Sequence, residues 1–116
     1  MKNALCIGLV AASIIALAPT ESRADERSLR ICEYVSVNDK SRLRKFLKNN
    51  KLKIRNIFDS VNCNGKNLLM FAAESKALDA GELIISKLPQ KVVKANLDAV
   101  KAASAHLGLA AEKRVK

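Results

Sequence analysis

Three kinds of side chain here carry chemistry beyond packing: the two of three cysteines that lie beyond an N-terminal leader-like segment holding Cys6, one histidine and a dense run of cations. Cys32 and Cys63 have four available fates, namely a disulfide, two buried thiols, a redox pair or part of a zinc site. No Cys-x-x-Cys spacing is present, which speaks against redox cycling. His106 is the only histidine and lies far along the chain, which leaves a structural zinc ion short of ligands. An isolated even pair in a small domain of an oxidising compartment forms a disulfide, and that is the expectation, with two unpaired buried thiols as the alternative. Closing the loop stabilises such a fold by roughly 3 to 4 kcal/mol in the chain-entropy model, less any strain.

His106 has no neighbouring Ser or Cys to activate and sits in an alanine-rich, solvent-biased stretch, so it reads as a surface histidine rather than a general base. Gly65-Lys66 lacks the upstream glycine and the following Ser or Thr of a phosphate loop and reads as a turn. No catalytic residue, metal site or cofactor is therefore expected. Charge placement is the strongest feature. Lys40, Arg42, Arg44, Lys45, Lys48, Lys51, Lys53 and Arg55 follow one another with no acidic residue between them. Such a run neutralises phosphates or acidic groups on a partner with salt-sensitive affinity, or is simply the solvated face of a helix and its loop; by pattern alone the solvated face carries more weight.

The elements that must position these residues read as helices. Asn64-Gly65 is a turn pair, and Asn67 is placed to cap a helix from Leu68 whose Leu69, Ala72 and Ala73 share one face. After a polar break near Ser75 and Lys76, Leu83, Ile84 and Leu88 form a second stripe that Pro89 ends. Upstream, Asp25 to Ser28 is a frayed polar lead-in, and Leu29 to Val37 reads as a short helix, with a strand around Val35 to Val37 as the alternative. Asn38 or Asp39 caps a second helix to about Asn49 with Leu43, Phe46 and Leu47 on its face. An offset of 38 lays Ile31 on Leu69, Val35 on Ala73, Phe46 on Ile84 and Leu47 on Ile85, a repeat of apolar pattern without identities. Ile54, Ile57, Phe58 and Val61 have helical spacing and suggest a short helix plugging the gap between hairpins. Repeat stacks need caps, and Lys91 to His106, with Val93, Leu97, Val100 and Leu107 on one face, serves as one. Gly108 is the expected break, and Glu112-Lys113-Arg114 a loose basic end. A membrane-surface helix is the poorer reading of this segment, because its face lacks aromatic residues.

The run Gly65-Lys66-Asn67-Leu68-Leu69-Met70-Phe71-Ala72-Ala73 with Leu83-Ile84-Ile85 resembles an ankyrin repeat, whose consensus is Gly-x-Thr-Pro-Leu-His-x-Ala followed by paired leucines. Asn67 stands for the Thr, Leu68 for the Pro and Met70 for the His, departures that remove the usual turn lock. A longer span, from about Arg30 to Leu88, resembles a family of small exported bacterial proteins known only as domain of unknown function 3718. Ile31-Cys32-Glu33, Asp39-Lys40-Ser41-Arg42-Leu43-Arg44, Lys53-Ile54-Arg55-Asn56-Ile57 and Cys63-Asn64-Gly65 carry the likeness. It implies one fold unit and an exported location, and no activity.

At 116 residues and a formal charge of +10, the chain is long enough for one basic domain. Lys2, the apolar Leu5 to Ala18 and the small-x-small Ser22-Arg23-Ala24 read as a secretory leader cut after Ala24, too short for a membrane span. A buried N-terminal helix is the alternative reading of that segment. Cys6 begins the apolar run instead of following it, against a lipoprotein; a cut after Ala18 is disfavoured by Pro19. Removing the leader leaves nineteen basic and ten acidic residues, net +9. The expected organisation is a leader over 1–24, a helical-hairpin domain over 25–90 and an amphipathic helix with a basic tail over 91–116. The expected fold is all-α: two ankyrin-like hairpins, a connecting short helix and a C-terminal capping helix, with no transmembrane segment after the cut.

Function follows from charge and compartment. The leading expectation is a non-catalytic periplasmic or secreted protein-interaction module presenting Lys40 to Arg55 to an acidic envelope protein. The alternative is an electrostatic binder of anionic lipid, lipopolysaccharide or other polysaccharide. Nucleic acid fits poorly, since an exported protein rarely meets it and the only aromatics, Tyr34, Phe46, Phe58 and Phe71, mostly have core spacing. An enzyme would have only Cys32, Cys63 and His106 to work with.

Overall fold

The computed structural model describes residues 19–116. Helices α1 (Pro19–Ser36) and α2 (Lys40–Asn49) form a first hairpin; the short α3 (Ile54–Ile57) follows. A two-stranded ribbon, β1 (Asn62–Cys63) and β2 (Lys66–Asn67), leads into a second hairpin of α4 (Leu68–Glu74) and α5 (Leu78–Lys87). Helices α6 (Gln90–Ala103) and α7 (Ala105–Val115) make a third. The fold is all-α apart from the ribbon. First helices pack on first helices, α1 on α4 and α4 on α6, while second helices form the other row, α2 on α5 and α5 on α7. One continuous apolar core runs between the rows, from Ile31 and Val35 through Leu69 and Ile84 to Val100 and Leu107.

The offset of 38 is visible in the backbone. In the first hairpin the amides of Val37, Asn38 and Asp39 donate to the carbonyls of Glu33, Val35 and Tyr34. In the second, Ser75, Lys76 and Ala77 donate to Phe71, Ala73 and Ala72, each partner shifted by the same interval. Both turns pass through a left-handed residue, Asn38 at φ 57° and Lys76 at φ 58°. Each of these residues also reaches forward to the next hairpin. Asn38 Oδ1 accepts from the Ala80 amide at 2.9 Å and so caps α5, whose own N-cap, Ala77, has no side chain able to do it. Lys76 Nζ donates to the Ala103 carbonyl, where the C-terminal end of α6 favours a cation. Asp39, as anticipated, caps α2 through the Arg42 amide at 3.0 Å.

The second hairpin follows the sequence reading closely. Asn64 (φ 55°) and Gly65 (φ 77°) form the two-residue turn of the ribbon, which pairs Cys63 with Lys66 and Asn62 with Asn67. Asn67 Oδ1 accepts from the Met70 amide at 2.8 Å, and its Nδ2 donates to Asn96 Oδ1 at 2.9 Å, tying α4 to α6. Leu69, Ala72 and Ala73 are buried, as are Leu83, Ile84 and Leu88. Helix α3 packs on α5 with Ile54 inside, and Phe58 and Val61 continue the plug.

Several expectations are corrected. The lead-in Asp25 to Ser28 is helical, because nothing between Pro19 and Ser36 breaks a helix and proline suits its first turn; Leu29, where the expected short helix began, is 60% exposed while Ile31 and Val35 are buried. The capping element over 91–106 is a hairpin and not one helix. Ser104 breaks it, serving at once as the end of α6 and the N-cap of α7, with its hydroxyl accepting from the Leu107 amide at 3.2 Å. Gly108, expected as the break, lies inside α7 where the two helices touch: a Cβ there would stand 2.9 Å from Lys101 Cα. Glu112-Lys113-Arg114 is ordered helix. Residues 1–18 of the expected leader, which spans 1–24, lie outside the described residues, and its cut point after Ala24 falls within α1.

Candidate functional site

Cys32 and Cys63 are joined as a disulfide, with Cα atoms 5.7 Å apart. α1 presents the first sulfur and β1 the second, so the bridge pins the first helix to the ribbon ahead of α4. His106, the other residue with catalytic potential, meets Glu82 across α5 and α7, and both side chains are about half exposed.

The cations gather elsewhere. An open cleft of about 720 Å³ forms where the C-terminal ends of α2, α5 and α7 come together beside α3. Arg44, Lys45 and Lys48 enter it from α2, Lys53 and Arg55 from the start of α3, Lys87 from the last turn of α5 and Arg114 from the last turn of α7. Leu47, Leu52, Ile54 and Leu83 lie between and beneath them, and no carboxylate lines the cleft. Among the described residues, none of the seven cations is in a salt bridge; the ion pairs present are Arg30–Glu33, Arg42–Asp39, Lys66–Glu74, Lys101–Glu112 and His106–Glu82.

Five of the eight cations expected as a binding surface, Arg44, Lys45, Lys48, Lys53 and Arg55, are thus brought together. The other three are not. Lys40, Arg42 and Lys51 are exposed but outside the cleft, and Arg42 is paired with Asp39 at 3.5 Å. Helical geometry explains the split: Lys40 sits at the opposite end of α2 from Lys48, and Lys51, at φ 54°, occupies the left-handed turn that ends α2. Lys87 and Arg114 were not anticipated, since nothing local marks either as a neighbour of the run. The only local hint was a basic residue in the last turn of a helix, where it complements the carbonyl end. Arg114 does so directly: its Nη2 donates to the Leu88 carbonyl at 3.0 Å, while Gln90 Nε2 donates to the Arg114 carbonyl at 3.0 Å.

Helix ends account for part of the charge only. Three C-termini carry roughly half a negative charge each, about 1.5 in all, against seven positive side chains. Most of the positive potential is left over. Clefts with low-dielectric walls focus such a field, so an anion entering here is attracted more strongly than at an open face. Away from the cleft, the charge-assisted hydrogen bond from the Lys101 ammonium, at 2.8 Å, and then its charge, hold the Glu112 carboxyl below its usual range.

Among the described residues no helix is long and apolar enough to cross a membrane. No curated protein and no solved structure matches the chain, and the ankyrin-like detail of the hairpins gains no support from these comparisons. The profile of a family described as Protein of unknown function (DUF3718) matches residues 31–95, more than half of the chain and a span that holds Cys32, Cys63 and the whole Lys40 to Arg55 run; the chain belongs to that family.

Proposed function

We propose that this protein is a non-catalytic, exported binding module that takes an anionic envelope partner, an acidic protein segment or an anionic lipid or polysaccharide, into its cationic cleft. The observation that carries the reading is the convergence of seven cations on one cleft with no carboxylate among them. A merely solvated face would scatter its charges over the convex surface of α2 or pair them, as Arg42 pairs with Asp39. Export is supported by the leader-like pattern of Lys2, Leu5 to Ala18 and Ser22-Arg23-Ala24, and by a disulfide, a bond that persists in oxidising compartments. A non-catalytic role is supported by the engagement of both thiols of residues 25–116, Cys32 and Cys63, in that bond.

The test compares two charge-matched variants, Arg44→Gln/Lys45→Gln/Lys48→Gln inside the cleft and Lys40→Gln/Arg42→Gln/Lys51→Gln outside it. Binding to anionic envelope material should be weakened by salt in the wild type, because the screening length falls from about 8 Å at physiological ionic strength to about 3 Å at 1 M. The cleft variant should lose most of that binding and the outside variant little. Equal losses, or none, would overturn the proposal.

A further inference from the structure

We infer that the cleft recognises clustered phosphate groups, a compact ligand carrying at least two of them. The inference rests on the anion-binding reading above and names the anion.

Charge density comes first. After the helix ends are offset, about five positive charges remain around a volume of about 720 Å³, the size range of small-molecule sites. A carboxylate brings one charge, and successive side chains of an extended peptide are separated by about 3.3 Å of backbone and point alternately to opposite sides. A phosphate monoester brings about 1.5 to 2 charges and three acceptor oxygens on a single centre. Two phosphates therefore bring about three to four charges, for which three or four carboxylates would have to crowd into the same space.

Donor type points the same way. Arg44 and Arg55, from α2 and α3, present planar forks suited to bidentate contact with phosphate oxygens, and Arg114 adds a third guanidinium from α7. Arg114 is already steadied by its bond to the Leu88 carbonyl, which leaves its remaining N–H groups set in position. Lys45, Lys48, Lys53 and Lys87 supply compact point charges around them. The aliphatic Leu47, Leu52, Ile54 and Leu83 between and beneath the cations form a low-dielectric wall that strengthens their pull on phosphate charge.

The experiment uses the full chain with its disulfide intact and calorimetric titration at fixed ionic strength. The probes are tripolyphosphate, orthophosphate and hexaglutamate, with vesicles containing phosphatidylinositol bisphosphate or charge-matched phosphatidylserine as a second arm. Tripolyphosphate or the bisphosphate vesicles should bind at least tenfold more tightly than orthophosphate, hexaglutamate and phosphatidylserine. Arg44→Gln/Arg55→Gln should lose at least tenfold. Arg44→Lys/Arg55→Lys, which keeps the charge and removes the forks, should lose an intermediate amount. Arg114 is left unchanged because it also holds Leu88. Binding only to vesicles assigns the phosphates to a lipid head group, and binding only to tripolyphosphate assigns them to a soluble ligand; both support the inference. Hexaglutamate binding as tightly as either phosphate probe, with loss in the cleft variant, overturns the phosphate inference and leaves the anion-binding cleft standing. Equal binding of all probes by wild type and cleft variant overturns both.

Discussion

Removing the Cys32–Cys63 bridge should cost this protein a large share of its stability. The two residues are separated by 31 positions. For a loop of that length the chain-entropy relation gives about 12 cal/mol/K, or roughly 3.7 kcal/mol at 25 °C, before any strain is subtracted. The unfolding entropy of a domain is about 2.1 cal/mol/K per residue, so the 98 described residues correspond to about 0.2 kcal/mol/K at the midpoint. Dividing one by the other predicts a fall in Tm of roughly 15 to 20 °C. The side chains themselves contribute little to that figure, because Cys32 is only partly buried and alanine replaces most of the packing of Cys63. The measurement is a pair of thermal melts, wild type under non-reducing conditions against Cys32→Ala/Cys63→Ala, followed by circular dichroism and scanning calorimetry. Melting should remain a single transition, because Ile31 and Val35 still bury α1 against α4 without the bridge. Two melts within about 5 °C of each other would refute the reasoning. In that case the unfolded chain is already held compact by other contacts.

Asn38→Ala should cost about 2 kcal/mol, since it removes the cap on the Ala80 amide and puts a Cβ without hydrogen-bonding capacity at φ 57°, whereas Asn38→Gly should cost about 1; chemical denaturation midpoints that rank the two the other way would contradict the capping role. Gly65→Ala should destabilise by about 1 kcal/mol through its backbone alone, because φ is 77° and open space surrounds the new methyl; an unchanged urea midpoint would show that the turn relaxes freely. Gly108→Ala sets about 1 kcal/mol of gained helix propensity against a methyl 2.9 Å from Lys101 Cα, a backbone atom that moves only if α6 and α7 separate, and a net loss of about 1 to 2 kcal/mol is expected. A stabilised Gly108→Ala variant would mean that the hairpin opens easily. For the Lys101–Glu112 pair, Glu112 is held below its ordinary value of 4.5, so its contribution to stability is present above that pH and is lost as the pH falls through the lower folded value. Urea midpoints taken from pH 7 down to pH 3 should therefore fall more for wild type than for Glu112→Gln, a difference that 1 M salt should remove because both groups face solvent; parallel curves at low salt would dismiss the pair.

Where sequence and fold agree, a local cause was present. Asn67 before an apolar run, Asp39 before α2 and Pro89 after α5 act through residues within a turn of themselves, and they could be read without knowing what packs on them. The Cys32–Cys63 bridge was legible for a related reason: with Cys6 assigned to the leader, the two cysteines that remain leave one intramolecular pairing open. Ser104 was missed because it stands in the run Ala102-Ala103-Ser104-Ala105, without the Glu or Gln three residues later that would complete a capping box, while Gly108 nearby looked like the stronger breaker. That glycine answers a different need, the close crossing of α6 and α7. Asn38 was considered as a cap for its own hairpin, yet it caps α5 by accepting from the Ala80 amide, 42 positions along the chain. The cleft was only half legible for the same reason. Its α2 and α3 cations are neighbours in sequence, but Lys87 and Arg114 join them through the stacking of second helices, which no local pattern encodes.

The position of the disulfide has a consequence for protease digestion. The ring it closes, residues 32 to 63, contains every cation from Lys40 to Arg55 and hence the richest cluster of trypsin sites in the chain. A single cut anywhere in that cluster opens the backbone but leaves both pieces tethered through sulfur. Nicked molecules will run as intact chain on a gel without reductant and separate into two bands only when the bridge is broken.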